Sequence, residues 1–158
     1  MARFSLVICA LIALTDQIIK YFVNMLLKPV GRIEVIENLL TLTYVENKGA
    51  ALGMLSNMRW LFIAVTTILI AVLLYLMIIK KIDSKLFYIA AALIAGGGIG
   101  NLIDRIYLGY VIDYLYVTFF PPVCNFADYC ITMGTVLLII FILFYSDFFD
   151  GKKQADHV

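Results

Sequence analysis

Histidine is nearly missing from this chain: one occurs among 158 residues, His157, in the polar tail. The apolar segments therefore cannot build a histidine-based metal site or a serine–histidine triad. Charge is scarce as well. Asp, Glu, Lys and Arg make up 15% of the residues and sum to +1, and aromatic residues do not alternate with basic ones. No nucleic-acid partner is expected from such a pattern. Cysteine occurs three times, as Cys9, Cys124 and Cys130, an odd number without repeat spacing. That speaks against a disulfide framework. Cys9 lies in an apolar run and reads as a small core residue. Cys124 and Cys130 read as neighbouring free thiols, able to pair only if they face an oxidising compartment. Long repeats and low-complexity stretches are also missing.

What the chain has is apolar surface. The hydrophobic fraction is 64% and the mean hydropathy +1.01, more than a soluble core can use, so the solvent for most of the chain is lipid. The length fits a single membrane-embedded domain, 1–158. Four apolar segments predict an α-helical integral membrane protein with transmembrane helices at about 4–27, 60–79, 86–105 and 128–147. The second has no charge over 20 residues, enough at about 1.5 Å per residue to cross a hydrocarbon core of about 30 Å. The first begins like a signal peptide, with Arg3 before an apolar run. No small-x-small cleavage site follows it, so it reads as an uncleaved helix.

Orientation follows the basic residues. The short loop Lys80-Lys81-Ile82-Asp83-Ser84-Lys85, with Arg3 and Lys152-Lys153, assigns both termini to the cytoplasm. Residues 28–59 and 106–127 then lie outside. Within a β-like region at 30–56, Arg32–Ile36 and Leu39–Val45 are β-prone runs separated by a turn at Glu37-Asn38. Leu40, Leu42 and Tyr44 alternate with Thr41 and Thr43, the period of a half-buried strand. A small extracytoplasmic sheet on the membrane face is expected, able to pair with an extended peptide or to be an ordinary loop.

Ionisable residues at membrane depth are costly and usually functional. Asp16 and Lys20 are spaced i, i+4, so they share a helix face and can neutralise each other. Asn47-Lys48-Gly49 opens a small-residue stretch that reads as a tight turn, with Asn47 and Gly49 able to meet a peptide. Gly96-Gly97-Gly98-Ile99-Gly100 reads as close helix packing. Asn101 and Arg105 share a helix face, and Arg105 is expected to pair with Asp104, Asp16 or another carboxylate, to hold a catalytic Asp in place, or to receive a substrate's polar group. Asp113 and Asp128 flank a connection stiffened by Pro121-Pro122, with Asn125 nearby. A helix–loop–helix return would bring the two acids together. Two carboxyls in hydrogen-bond range share one proton, leaving an acid and a base to activate water. Paired acids in membranes also serve proton or cation transport, and polar residues can simply join helices of an assembly subunit; inverted repeats of a carrier are not apparent.

Taken in order, these stretches resemble the lipoprotein signal peptidase family, the bacterial aspartyl enzymes also called signal peptidase II. Asp16-Gln17-Ile18-Ile19-Lys20 is similar to the first motif, with Ile19 where Thr or Ser is frequent. Asn47-Lys48-Gly49-Ala50-Ala51-Leu52-Gly53 resembles the second, with Leu52 in place of Phe. Gly100-Asn101-Leu102-Ile103-Asp104-Arg105 is similar to the third and Gly109-x-Val111-x-Asp113 to the fourth, with Tyr114 where Phe is common. Asn125-Phe126-Ala127-Asp128 fits the last, although Cys124 stands for an aromatic and Tyr129-Cys130 for small residues. The resemblance implies four transmembrane helices, an outer-face β-cradle and catalytic Asp113 and Asp128. It also implies a polar surround of Asp16, Lys20, Asn47, Gly49, Asn101, Asp104, Arg105 and Asn125, with no metal and no cofactor. The implied substrate is a diacylglyceryl-modified prolipoprotein, cut on the amino side of its lipidated Cys. A monomer in contact with membrane lipid, in the bacterial cytoplasmic membrane, is expected.

Overall fold

The structure, a computed structural model, describes residues 1–49, 58–79 and 82–155. Ala50-Ala51-Leu52-Gly53, the end of the β-like region, Lys80-Lys81 and His157 lie outside the described residues. The chain runs α1 (Ala2–Phe22), β1 (Arg32–Ile36), β2 (Leu40–Asn47), α2 (Arg59–Ile79), α3 (Lys85–Tyr107), β3 (Val111–Val117), β4 (Phe120–Cys124) and α4 (Phe126–Ala155). A π-helical turn, Val23–Leu27, continues α1. Among the described residues, four helices are long and apolar enough to cross a membrane. With the small sheet, they give the architecture expected from the sequence.

The third helix is the centre of the bundle. Within its apolar span 67% of residues are buried inside the protein, against 28% or less for the other three. Beside the larger Phe87, Tyr88 and Ile94, its inward positions include Ala90, Ala91, Ala92, Ala95, Gly96, Gly97, Gly98 and Gly100, small enough for backbone to approach backbone without a hydrophobic effect to drive it. A Cβ on Gly96 would come 2.8 Å from the Cys9 carbonyl of α1, and one on Gly97 would meet the Ala127 carbonyl of α4 at 2.5 Å. On Gly100 it would strike the Asp16 carboxylate. The glycine cluster is a packing surface, as its composition suggests. These contacts also give directions. Cys9 and Asp16 follow Gly96 and Gly100 in the same sense, so α1 and α3 run together, whereas Gly97 meets Ala127 and Gly134 meets Ala90, so α4 runs against them.

Both excursions from the bundle, after α1 and after α3, consequently leave at the same end and meet in one antiparallel sheet of order β1-β2-β3-β4. The first hairpin turns at Asn38, whose positive φ of 54° suits asparagine. The second hairpin corrects an expectation. The segment between α3 and α4 is no simple helix–loop–helix return: it forms β3 and β4, starting from Gly109 at φ 86°. Two features hid it. Val111, Ile112, Asp113 and Tyr114 are all buried, which erases the period-two pattern, and Pro121-Pro122 argues against a strand. Strand β4 lies at the edge of the sheet, where proline is tolerated. The long-range pairing of β2 with β3 sets Val45 opposite Asp113 and Asn47 opposite Val111.

Candidate active site

Asp113 comes from β3 and Asp128 from the first turn of α4. Asn125 caps that helix: its Oδ1 accepts from the Asp128 N–H at 3.0 Å, and its own N–H donates to Asp128 Oδ2 at 3.1 Å. The exchange is a capping box written with Asn and Asp. Its side-chain Nδ2 donates to Asp113 Oδ1 at 2.6 Å. One asparagine thus grips an oxygen of each acid.

The remaining oxygens are held from the other side. Asn47 Nδ2 donates to Asp113 Oδ2 at 2.9 Å, while Asn47 Oδ1 accepts from Gly49 N at 2.9 Å. The expected tight turn and the contact with the acid are the same residue's two ends. Asn101 Nδ2 donates to Asp128 Oδ1 at 2.8 Å. Asn101 Oδ1 accepts from Lys20 Nζ at 2.8 Å and from Asn125 Nδ2 at 3.2 Å. Lysine can only donate, so it fixes which end of the Asn101 amide faces Asp128.

Lys20 is buried and also pairs with Asp16 at 2.8 Å and Asp104 at 2.9 Å. Asp16 and Lys20 do neutralise each other, and Asp104 joins the pair. Each acid then reaches a backbone donor. Asp16 Oδ1 accepts from Ala127 N at 3.1 Å, and Asp104 Oδ2 from Ile112 N at 3.0 Å. Salt-bridged carboxylates thus tie α4 and β3, the two carriers of Asp128 and Asp113, to the bundle. Among the described residues no buried side-chain N or O lacks a partner.

Arg105 corrects the expectation that it pairs with Asp104 or Asp16. Lys20 takes both, and Arg105 lies one residue, about 100°, further round the helix from Asp104. Its Nη1 donates to the Asn101 carbonyl and its Nη2 to the Gly49 carbonyl, each at 3.4 Å, and its guanidinium lies 5.0 Å over the Phe62 ring. No ion pair of Arg105 occurs among the described residues. Three further residues have roles the motifs did not suggest. Gln17 Nε2 donates to the Gly100 carbonyl at 3.0 Å and to Asp104 Oδ1 at 3.1 Å. Tyr114 Oη accepts from Phe126 N at 3.2 Å. Arg59 Nε and Nη2 donate to the carbonyls of Arg105 (2.7 Å) and Ile106 (2.8 Å), covering the end of α3. A cation at the start of α2, against the helix dipole, was the available signal for Arg59.

Both acids and Arg105 line a cavity of about 750 Å³ whose other walls include Phe62, Val123 and Ile131. Burial first, and then the neighbouring Asp128, push the Asp113 pKa up to about 6, against the hydrogen bonds from Asn47 and Asn125. Burial and then the two acids push the Cys124 thiol up to about 11. It is therefore a protonated wall residue at neutral pH, not a nucleophile. All three cysteines are free.

The family model described as Signal peptidase (SPase) II matches residues 8–144. The lipoprotein signal peptidase of Caldanaerobacter subterraneus subsp. tengcongensis is 44% identical over 140 residues, covering 89% of this chain and 96% of that one. That of Clostridium acetobutylicum is 36% identical over 152 residues, covering 94% and 99%. A solved bacterial membrane enzyme, determined by the in meso method at 2.3 Å, superposes with a TM-score of 0.82 at 33% identity, covering 89% of this chain and 87% of that one. The chain belongs to the signal peptidase II family and is a multi-pass membrane protease.

Proposed function

We propose that this protein removes the signal peptide from diacylglyceryl-modified prolipoproteins, cutting on the amino side of the lipidated Cys with a water activated between Asp113 and Asp128. The observation that carries this reading is the shared grip of Asn125 on both acids, at the wall of an apolar cavity. Asp113 enters the cycle holding the proton and Asp128 enters as the base. Asp128 takes a proton from water as the water oxygen bonds to the scissile carbonyl carbon, and Asp113 donates its proton to the carbonyl oxygen. In collapse the C–N bond breaks, Asp128 returns its proton to the departing amine and the hydroxyl gives one back to Asp113. Water is consumed and the dyad is restored. Asn47, Asn101 and Asn125 orient the acids. Lys20, Asp16 and Asp104 hold those orienting groups in place, and Arg105 and Gly49 face the substrate.

A lipid-anchored substrate delivers its scissile bond at fixed depth, and such positioning contributes about 7–11 kcal/mol when geometry is good. By the basic loop at 80–85 both termini are cytoplasmic. The sheet and the acids then lie at the extracytoplasmic face of the bacterial cytoplasmic membrane. The enzyme works as a monomer without a cofactor, its apolar walls in contact with membrane lipid. The test is incubation of the purified protein with a diacylglyceryl-modified precursor and with its unlipidated twin, followed by mass analysis. Cleavage of the first alone, immediately before the modified Cys, is expected; cleavage elsewhere, or none, would reject the reading.

The pH profile supplies a second check. Asp113 must hold its proton to act as the acid, so kcat/KM is expected to fall as pH rises through about 6. Stability has the same sign: with the folded pKa raised, Asp113's contribution is complete below the usual carboxylate range and is lost as pH rises through about 6. A rate that climbs steadily from pH 5 to pH 9 would contradict this assignment.

A further inference from the structure

Arg105 is the cation in this site that touches no carboxylate among the described residues; Asp128, Asp113 and Asp104 act on it only through space. Lys20 is saturated by Asp16, Asp104 and Asn101 at 2.8–2.9 Å. Among the described residues Arg105 makes two hydrogen bonds, both at 3.4 Å and both to carbonyls, although a guanidinium offers five N–H donors in a planar fork. It lines the same cavity as both acids, and the Phe62 ring lies beneath it. A guanidinium fork with unused donors in an apolar-walled cavity is matched to a planar anion that accepts two N–H bonds at once.

The substrate brings no such anion to the dyad, since the scissile peptide is neutral. Hydrolysis makes one there: the carbonyl carbon attacked by water becomes the carboxylate that ends the released signal peptide. We infer that Arg105 is a product-carboxylate site, which binds the new C-terminus of the cleaved signal peptide and makes that peptide a competitive inhibitor of the next turnover. The inference rests on the peptidase reading and deepens it. The amine product leaves with its lipid anchor, whereas the signal peptide is retained by its charge as well as by its apolar length. Substrate and product thus differ at Arg105 by one ionic contact, which sets the affinity of the site for the product above that for a neutral end.

The experiment uses the full-length enzyme, the lipidated precursor and two synthetic signal segments ending at the residue before Cys, one with a free carboxylate and one with a C-terminal carboxamide. The carboxylate peptide is expected to inhibit roughly tenfold or more strongly than the carboxamide, the scale of a charge-assisted hydrogen-bonded contact. In Arg105→Gln the two peptides should become equal, and Arg105→Lys should retain part of the difference. Equal inhibition of the wild type, or tighter binding of the carboxamide, overturns the inference while leaving cleavage intact. That comparison needs no variant, so an Arg105→Gln protein that fails to fold does not weaken it. If the precursor is not cleaved at all, the peptidase reading fails, and direct binding of the two peptides to the wild type still decides the carboxylate site in the same way.

Discussion

Asp113→Asn and Asp128→Asn are each expected to lower cleavage of a lipidated precursor by about 10³-fold or more, while both proteins still insert. Asparagine keeps the volume of aspartate but can neither hold nor accept the proton that moves in each half of the cycle. A smaller structural effect accompanies it. Both oxygens of Asp113 accept from amide nitrogens, from Asn125 at 2.6 Å and Asn47 at 2.9 Å. In the Asp113→Asn protein the new side-chain NH₂ would face one of those donors. Asn47 cannot turn to compensate, because its Oδ1 is held by Gly49 N. One lost buried hydrogen bond costs about 1–3 kcal/mol, so rates must be normalised to folded protein, measured by thermal unfolding in detergent. Wild-type rates from either folded variant would remove the basis for a two-acid mechanism.

Lys20→Met is the substitution expected to cost most in stability. The methionine fills a similar volume but leaves Asp16 and Asp104 buried, close together and without their counter-ion. Breaking a buried ion pair from one side costs about 3–5 kcal/mol, a large part of the stability of an ordinary domain. Loss of the folded protein is the expected result, read as a fall in yield and in unfolding temperature. Neutralising the acids as well, in Lys20→Met with Asp16→Asn and Asp104→Asn, should restore part of the stability without restoring activity. In that variant no cation holds Asn101 Oδ1, so the amide is no longer compelled to donate to Asp128. A Lys20→Met protein as stable and active as the wild type would refute this account of the polar cluster.

Much of the site could be seen before any coordinates. Asp16 and Lys20 declared their pairing by i, i+4 spacing on a helix, and the glycines from Gly96 to Gly100 declared close packing by having no side chains. Their partners could not be found that way. Lys20 meets Asp104 and Asn101, and Asp16 meets the Ala127 N–H, across sequence separations of 81 to 111 residues; nothing local encodes such contacts. Arg105 illustrates the opposite hazard. Its adjacency to Asp104 suggested an ion pair, but successive residues on a helix point in different directions, and the structure gives Asp104 to Lys20.

Hydropathy alone determined the four helices and the lipid environment, because an apolar run of about 20 residues has no other stable way to satisfy its backbone in a bilayer. The order of short polar motifs singled out Asp113 and Asp128 among the acids. Only the tertiary structure decided that β3 and β4 complete the sheet, since burial on both faces removes alternation and a proline pair masks an edge strand. It alone decided that a lysine on α1 sets the amide beside Asp128 and that Arg105 makes no direct ion pair among the described residues, feeling the acids only through space. The physical reason is common to both: charge and hydrogen-bond balance in a low-dielectric interior is settled among side chains from different elements, and which elements meet depends on how the helices pack.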